Sequence, residues 1–305
     1  MSAPPATALR LFAPAKFNPY LAVRRRRPDG FHDLDTIFQA LNWGDELRCR
    51  PLDQDVCRIA CDHPGVPLGP GNLIARAWER LRAAFPGRVG GLAVDLIKRI
   101  PPGAGLGGGS ADAAATLVAL NRLYHLRLPA HALEELAADL GSDCPFFIRG
   151  GTQVGSGRGE QLRPIRNRLP PRWIVGVWPG FPSSTAAAYR RITPADWHDG
   201  HGLAAAIDAI ERGDWIALQK CMYNTFSTLV SDTDLRYNTL REEISAHGLT
   251  HPLLAGSGSS IVAFAASHAA ASAAARRLAG GSRVVFISRF RRRGVGLLAP
   301  RRSGL

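Results

Sequence analysis

Residues 101–111 have the sequence Pro-Pro-Gly-Ala-Gly-Leu-Gly-Gly-Gly-Ser-Ala, with five glycines in seven consecutive positions. Glycine has no Cβ, so several backbone amides of such a segment can approach one anion. Residues 92–97 before it are mostly apolar and predict a strand, and residues 111–123 after it predict a helix. The N-terminus of that helix adds positive potential. The pattern therefore predicts a phosphate-binding loop rather than a flexible surface turn.

The dinucleotide-binding fingerprint is the first alternative, because Gly103, Gly105 and Gly108 have its spacing. That fingerprint feeds a βαβ unit with an acidic residue about 20 positions later. Here a second helix-like segment, residues 130–140, follows instead. No lysine follows the glycines as in a P-loop, and no valine follows Gly108 as in the protein kinase loop. Hydride transfer, P-loop chemistry and protein kinase activity are therefore disfavoured.

Length and composition indicate a globular protein of two domains. The chain has 305 residues, of which 46% are hydrophobic and 21% charged. This length exceeds the usual size of one core, so we predict domains at 1–163 and 164–305, divided at a proline-rich stretch. Strand-like and helix-like segments mix without regular βαβ alternation, which favours an α+β fold.

No apolar run is long enough to span a membrane, and residues 1–11 lack the pattern of a signal peptide. The five cysteines form no regular disulfide framework. Cys57, Cys61 and His63 could form half of a metal site, but strand cysteines are the favoured interpretation. We therefore expect a cytoplasmic protein with no membrane partner.

The net charge of +13 raises the possibility of nucleic-acid binding. Arginines cluster at 24–27 and again as Arg289 with Arg291–Arg293, but neither cluster has the repeated interleaving with aromatic residues of a stacking platform. A solvated face is the first interpretation, steering of an anionic substrate the second, and nucleic-acid binding a distant third. Only three of the 38 basic residues are lysines, namely Lys16, Lys98 and Lys220. We expect lysine where a compact ammonium matters.

Two further motifs accompany the glycine loop. They are Ala13-Pro-Ala-Lys-Phe-Asn18 and Leu254-Ala-Gly-Ser-Gly-Ser259. The three segments, in this order, resemble the three signatures of the GHMP small-molecule kinases. The resemblance implies a two-domain fold that holds ATP and a small-molecule substrate in the cleft between its domains, as a monomer or homodimer.

Three more segments narrow the resemblance within that superfamily: Asp29-Gly-Phe-His32, Gly71-Asn-Leu-Ile74 and Gly141-Ser-Asp-Cys-Pro-Phe-Phe147. They resemble the branch that phosphorylates the 2-hydroxyl of a cytidine diphosphate-linked methylerythritol in non-mevalonate isoprenoid synthesis. A GHMP kinase for homoserine, mevalonate or a sugar is one alternative. A non-catalytic nucleotide- or RNA-binding protein on the same scaffold is the other.

The resemblance implies that Asp143 is the general base and that Lys16 stabilises the transferring phosphoryl group. From the sequence alone, a turn-capping aspartate is an equal interpretation of Asp143. Ser110 is implied as a ligand of Mg²⁺, and no carboxylate can be assigned to that metal. The residues implied in ATP binding are Asn72, Lys98, Pro101, Pro102, Gly103, Ala104, Gly105, Leu106, Gly107, Gly108, Gly109, Ser110 and Ala111.

The residues implied in substrate binding are Asn18, Phe31, His32 and Tyr189. His32 and Phe31 would hold the cytosine ring by hydrogen bonding and stacking, and Tyr189 would close on it from the second domain. Phe31 stands where the family usually has tyrosine, so stacking is retained while one hydroxyl contact is lost.

Overall fold

A long antiparallel hairpin organises the first half of the protein, whose computed structural model describes residues 8–299. Strand β1 (Leu9–Arg26) pairs with β2 (His32–Leu52) from Leu9 opposite Cys49 to Arg26 opposite His32. The sequence predicts two short separate strands here, at residues 9–12 and 18–23. They are continuous because shifts in register between Pro14 and Tyr20 accommodate the prolines. The predicted absence of a signal peptide concerns residues 1–11, of which the structure describes only 8–11. The sequence also predicts a basic tail after Phe290, and the structure describes it as far as residue 299.

The hairpin belongs to an eight-stranded sheet. Its other strands from the first half are β3 (Cys57–Cys61), β4 (Gly91–Ile97), β5 (Thr152–Ser156) and β6 (Gln161–Pro164). Strand β4 pairs with β2 and β3, while β5 and β6 form the hairpin that the glycines of residues 150–162 predicted. This sheet therefore supports both segments that flank the glycine loop.

Four helices cover the first sheet: α1 (Leu73–Ala84), α2 (Gly108–Leu123), α3 (Ala130–Ala138) and α4 (Cys144–Arg149). Helix α1 begins at Asn72, whose Oδ1 accepts the Ile74 N–H at 2.9 Å, and it buries Ile74, Trp78 and Leu81 at helical spacing. Helix α2 is buried around most of its circumference, as its alanine-rich sequence requires. It begins three residues before the predicted start because Gly107 takes a left-handed conformation at its N-cap.

The second half contains a four-stranded antiparallel sheet in the order β11, β7, β10, β9. The elements of this half are β7 (Trp173–Trp178), α5 (Thr185–Arg190), α6 (Leu203–Arg212), α7 (Trp215–Cys221), β8 (Tyr223–Asn224), α8 (Thr225–Ser231), α9 (Leu235–Ala246), β9 (Thr250–Leu254), β10 (Ile261–Ala265), α10 (His268–Leu278), β11 (Val284–Ser288) and β12 (Gly296–Leu297). Strands β8 and β12 belong to the second half of the chain but pair with β1 in the first sheet. The predicted boundary at 163/164 falls within β6, one residue before its end, and stays a prediction.

The helices of residues 8–299 include none with both the length and the apolar character needed to cross a bilayer.

Backbone hydrogen bonds tie the glycine loop to three distant segments. The amide of Lys16 donates to Leu106 O at 3.0 Å, that of Ser260 to Ala104 O at 3.1 Å, and that of Ser183 to Gly103 O at 2.8 Å. Such contacts need close backbone approach. Gly105 has a φ of +76°, and a Cβ there would overlap the carbonyl oxygen of Ala255. The glycines therefore join both halves at one point.

We predict that Gly105→Ala lowers the free energy of unfolding by about 2 kcal/mol or more, because it combines a left-handed φ with a backbone clash. Gly109→Ala is the matched control. Gly109 lies in the first turn of α2, where an added Cβ meets only Leu73 at 3.6 Å. That variant should be neutral or stabilised by up to ~1 kcal/mol. Urea unfolding measures both, and equal stabilities would contradict the packing described here.

Candidate active site

A cleft of about 1070 Å³ lies where the two halves meet. Residues 101–110 of the glycine loop form one wall and the end of the β1–β2 hairpin another. Helix α5 and residues 256–257 contribute from the second half. The three motifs of the sequence thus line a single cavity, which is large enough for two nucleotide-sized ligands.

Lys16 lies at the centre of this cleft. Its side chain is 5% exposed, and its ammonium donates to Asn18 Oδ1 at 2.9 Å. Asn18 in turn donates to Thr36 Oγ1 at 2.9 Å, so the neighbouring strand fixes its amide. A Cβ on Gly256 would lie 3.0 Å from Lys16 Nζ. The lysine is therefore held in place by strands of the first sheet, next to the loop of the second half.

Asp143 faces Lys16 across the cleft, with 3.5 Å between Oδ2 and Nζ. It occupies the N-cap position of α4, yet its side chain makes no capping hydrogen bond. The alternative of a turn-capping aspartate is therefore wrong. The side chain is 35% exposed, which leaves its carboxylate accessible to a ligand. The neighbouring Cys144 is buried, and burial raises the pKa of its thiol to about 12, so Cys144 is not a nucleophile here.

The start of α2 provides the anion site. The N–H of Ala111 donates to Gly107 O at 2.9 Å, which begins the hydrogen bonding of α2. The amides of Gly108, Gly109 and Ser110 come earlier in the helix, where backbone N–H groups have no partner within the helix. Open helix amides and the dipole together favour phosphate. Residues 101–110 line the cleft as predicted, whereas Ala111 is buried inside α2.

Asn72 and Lys98 were predicted to border the adenine. The Asn72 side chain is occupied in capping α1 and also donates to Pro67 O at 2.7 Å. Lys98 lines the cleft, but its ammonium lies 2.6 Å from carboxylate oxygens of both Asp45 and Asp112. Contact of either residue with a nucleotide stays a prediction.

Aromatic rings collect at the opposite end of the cleft. The rings of His32 and Tyr189 stack with centroids 5.4 Å apart, although the two residues lie in different halves. Burial, and after it the charge of Arg26, lowers the pKa of His32, so its imidazole is neutral at pH 7. Burial also raises the pKa of Tyr189. Phe31 is 51% exposed on the hairpin turn, with the Arg158 guanidinium 4.9 Å from its ring centre.

Sequence reasoning missed the arginines of the cleft. They are Arg26, Arg76, Arg158 and Arg190. Within the 24–27 cluster, Arg24, Arg25 and Arg27 pair with aspartates on the surface, so the solvated-face interpretation holds for them. Arg26 instead lines the cleft, which agrees with steering of an anionic substrate. Alternation along a strand could have separated Arg26 from Arg25 and Arg27, but it places Arg24 on the same face as Arg26.

Carboxylates are rare in the cleft, since Asp143 is the only one among its lining residues between positions 8 and 299. Cys57 and Cys61 lie at the two ends of strand β3, which agrees with the favoured interpretation of strand cysteines. In the described part of the chain, the single group of three possible metal ligands is His198, Asp199 and His201. His198 and Asp199 line a separate cleft of about 650 Å³, away from the glycine loop.

A glycine cradle at a helix N-terminus, facing a lysine–aspartate pair in a cationic cleft, defines a small-molecule kinase of the GHMP class. Family models agree: the GHMP kinases N terminal domain matches residues 72–151 and the GHMP kinases C terminal domain matches residues 206–281. A Geobacter sulfurreducens protein named 4-diphosphocytidyl-2-C-methyl-D-erythritol kinase is 40% identical over 258 residues, covering 84% of this chain and 89% of its own.

Solved structures give the same result. A crystal structure of 4-(cytidine 5'-diphospho)-2C-methyl-D-erythritol kinase has a TM-score of 0.73 and 34% identity, and the match covers 92% of this chain and 99% of that one. A homoserine kinase from Cytophaga hutchinsonii has a TM-score of 0.75 over 98% of this chain and 99% of its own, but only 18% identity, so it shares the fold alone. This chain belongs to the GHMP kinase family, in the group of the 4-diphosphocytidyl-2-C-methyl-D-erythritol kinases.

Proposed function

We propose that this enzyme transfers the γ-phosphoryl group of ATP to the 2-hydroxyl of 4-diphosphocytidyl-2-C-methyl-D-erythritol, in the synthesis of isoprenoid precursors. The observation that carries the proposal is the Lys16–Asp143 pair, 3.5 Å apart beside the glycine cradle. Relatives at 36–40% identity bear the name of this kinase. The homoserine kinase likeness, at 18% identity, supports no substrate.

ATP phosphates bind at the open amides of Gly108, Gly109 and Ser110, where the dipole of α2 favours negative charge. The adenine lies toward Leu73 and Pro101, at the end of the cleft near α1. Gly107 lies next to Lys16, because a Cβ on this glycine would be 3.1 Å from Lys16 Cγ. Phosphates bound along the loop therefore extend toward Lys16. The loop thereby brings the phosphates to the catalytic pair.

Asp143 acts as the general base. Its carboxylate accepts the proton of the 2-hydroxyl while the alkoxide oxygen forms a bond to the γ-phosphorus and the bond from that phosphorus to the bridging oxygen of ADP breaks. A tertiary alcohol is a poor nucleophile, so a positioned base helps it react. The Lys16 ammonium stabilises the negative charge on the attacking and equatorial oxygens, and its compact shape suits a buried site of this size.

The cytidine end of the substrate lies between the two halves. The neutral imidazole of His32 offers one donor and one acceptor to the cytosine edge, and Tyr189 and Phe31 supply stacking faces. Asn18 contacts the polyol, next to Lys16. The guanidinium of Arg26 supplies positive charge for the diphosphate of the substrate.

Mg²⁺ accompanies ATP in this proposal, and the donor set of the cleft fits a metal held mainly by phosphates. Ser110 offers a hydroxyl, and Mg²⁺ commonly takes only one or two protein ligands, with water and phosphate oxygens completing its shell. When bound, the ion neutralises charge that develops on the β- and γ-phosphates. The residues themselves position ATP and move the proton.

We further infer that the enzyme works in the cytoplasm as a monomer or homodimer, without nucleic acid. All five cysteines are free, which suits a reducing compartment. Arg24, Arg25 and Arg27 pair with aspartates, and the guanidinium groups of Arg289 and Arg291 lie over the rings of Trp173 and Phe12. Filter binding to RNA at physiological salt should therefore detect no complex.

A substrate panel tests the proposed function. The purified protein is incubated with ATP, Mg²⁺ and either 4-diphosphocytidyl-2-C-methyl-D-erythritol, homoserine, mevalonate or galactose, and ADP release is measured. We expect turnover with the cytidyl substrate alone, because the His32–Tyr189 stack selects a pyrimidine. Turnover with another alcohol would retain the kinase and reject the substrate. Inactivity with all four would reject both.

We predict that Asp143→Asn lowers kcat by roughly 10²–10⁴-fold, because the amide cannot accept the hydroxyl proton. ATP binding should persist, since the open amides of α2 are unchanged. Asp208→Asn is the control, because it removes a carboxylate that only pairs with Arg212 on the surface of α6. Single-turnover kinetics and ATP titration separate the two effects. Near-normal kcat in Asp143→Asn would mean that positioning alone drives the reaction.

We predict a pH dependence of substrate binding that originates from His32. Its pKa lies below the ordinary value, so KM for the cytidyl substrate should be constant from pH 7 to 8.5 and rise at acid pH, where the ring becomes protonated. His32→Gln keeps a polar side chain and cannot titrate in this range, so its KM should be higher and independent of pH. A persisting acid rise in that variant would assign the effect to another group.

A further inference from the structure

Three buried charged residues connect the two ends of the glycine loop. Lys98 follows β4 immediately before the loop, Asp112 lies in the first turns of α2 immediately after it, and Asp45 is in β2. Their side chains are only 4%, 5% and 0% exposed. The Lys98 ammonium lies 2.6 Å from Asp45 Oδ2 and 2.6 Å from Asp112 Oδ2. The strand before the loop and the helix after it are thus joined through one ammonium.

Asp45 also holds the backbone that leads into the loop. Its Oδ1 accepts the amide of Arg99 at 2.6 Å and the amide of Ile100 at 2.8 Å. These residues directly precede Pro101. Asp45 therefore fixes the N-terminal end of the loop to β2. Lys98 bonds both Asp45 and Asp112, and so connects that end to the start of α2 at the C-terminal end of the loop.

The hydrogen bonding of the two carboxyl groups is unequal. Asp45 accepts three hydrogen bonds, whereas Asp112 accepts one from Lys98, and its Oδ1 is buried without a partner among the described residues. Burial, and also the charge of Asp45, raises the pKa of Asp112 above its usual value, against the opposing effect of Lys98. A proton on Asp112 gives a cluster without net charge, which is favourable in a buried site.

The cluster lies directly beneath the anion site, because a Cβ on Gly108 would be 3.0 Å from Lys98 Nζ. Asp45 and Asp112 do not line the cleft, so they act on a bound nucleotide only through the loop. A neutral cluster at this position avoids repelling the phosphates. Geometry and charge thus agree on a role in loop positioning.

We propose that Asp45, Lys98 and Asp112 form a buried clamp that sets the separation of the two ends of the glycine loop, so that the amides of Gly108–Ser110 converge on the ATP phosphates. The three are positioning residues. The inference rests on the proposed function in one respect, namely that this loop binds ATP.

The first test measures the loop without any ligand. Asp112→Val keeps the volume of the side chain and removes the acceptor, while Asp112→Asn keeps an oxygen for the Lys98 ammonium and is the matched control. Hydrogen exchange is followed at the amides of Ala111, Ser183 and Ser260, which donate to carbonyls of the loop. We expect exchange about tenfold faster or more in Asp112→Val and nearly unchanged exchange in Asp112→Asn.

The second test measures ATP affinity. Titration with a non-hydrolysable ATP analogue should give a Kd raised about tenfold in Asp112→Val, with Asp112→Asn close to wild type. In kinetics, KM for ATP should rise while KM for the alcohol substrate stays constant. If Asp112 acted only by its charge, its removal would instead tighten ATP binding, because a carboxylate beneath an anion site repels phosphate.

A double-mutant cycle separates the clamp from direct contact of Lys98 with ATP. Lys98→Met and Asp112→Val should be non-additive, because each alone breaks the same connection. Additive losses in Kd would overturn the clamp, as would unchanged exchange at the three amides in Asp112→Val. The exchange result is independent of kinase turnover, so a failure of the clamp and a failure of the proposed function give different data.

Discussion

The close backbone approach of the glycine loop to strand β1 and to residues 255–260 is the constraint on which the site depends. Side chains on Gly105 or Gly107 would collide with the loop of the second half or with Phe147 and Lys16. Their absence lets carbonyls of the loop accept amides from Lys16, Ser183 and Ser260. One segment therefore forms the proposed anion site, contacts the backbone of Lys16 and joins the two halves.

Positively charged side chains outnumber negatively charged ones in the lining of the cleft. This excess suits the anionic ligands of the proposed reaction. Two polyphosphate ligands bring several negative charges, which the lining arginines and lysines oppose. Asp143 is accordingly the single lining carboxylate of residues 8–299. In the proposed mechanism this carboxylate accepts the proton of the alcohol, and Lys16, 3.5 Å away, stabilises the oxygen from which that proton leaves.

Local elements could be predicted where local physics decides them. The sequence predicts strands at 173–178 and 284–288 and helices at 203–212 and 215–221, and the structure has β7, β11, α6 and α7 at these positions. Apolar periodicity and nearby glycines or prolines mark such elements in the sequence. Strand β1 was predicted in two pieces, since prolines normally interrupt pairing; the register shifts that absorb them depend on β2. The start of α2 was placed late because glycine has a poor helix propensity, which the surrounding packing overrides.

The sequence by itself determined the chemistry of the site. It identified the glycine loop, the rare lysines and the ordered motifs, because backbone freedom, side-chain charge and spacing are properties of the chain. Tertiary structure alone decided which groups meet: the 3.5 Å between Lys16 and Asp143, the turn of Arg26 into the cleft and the burial of Asp45 with Asp112. Those contacts join residues far apart in sequence, and their distances follow from how sheets and helices pack rather than from any local pattern.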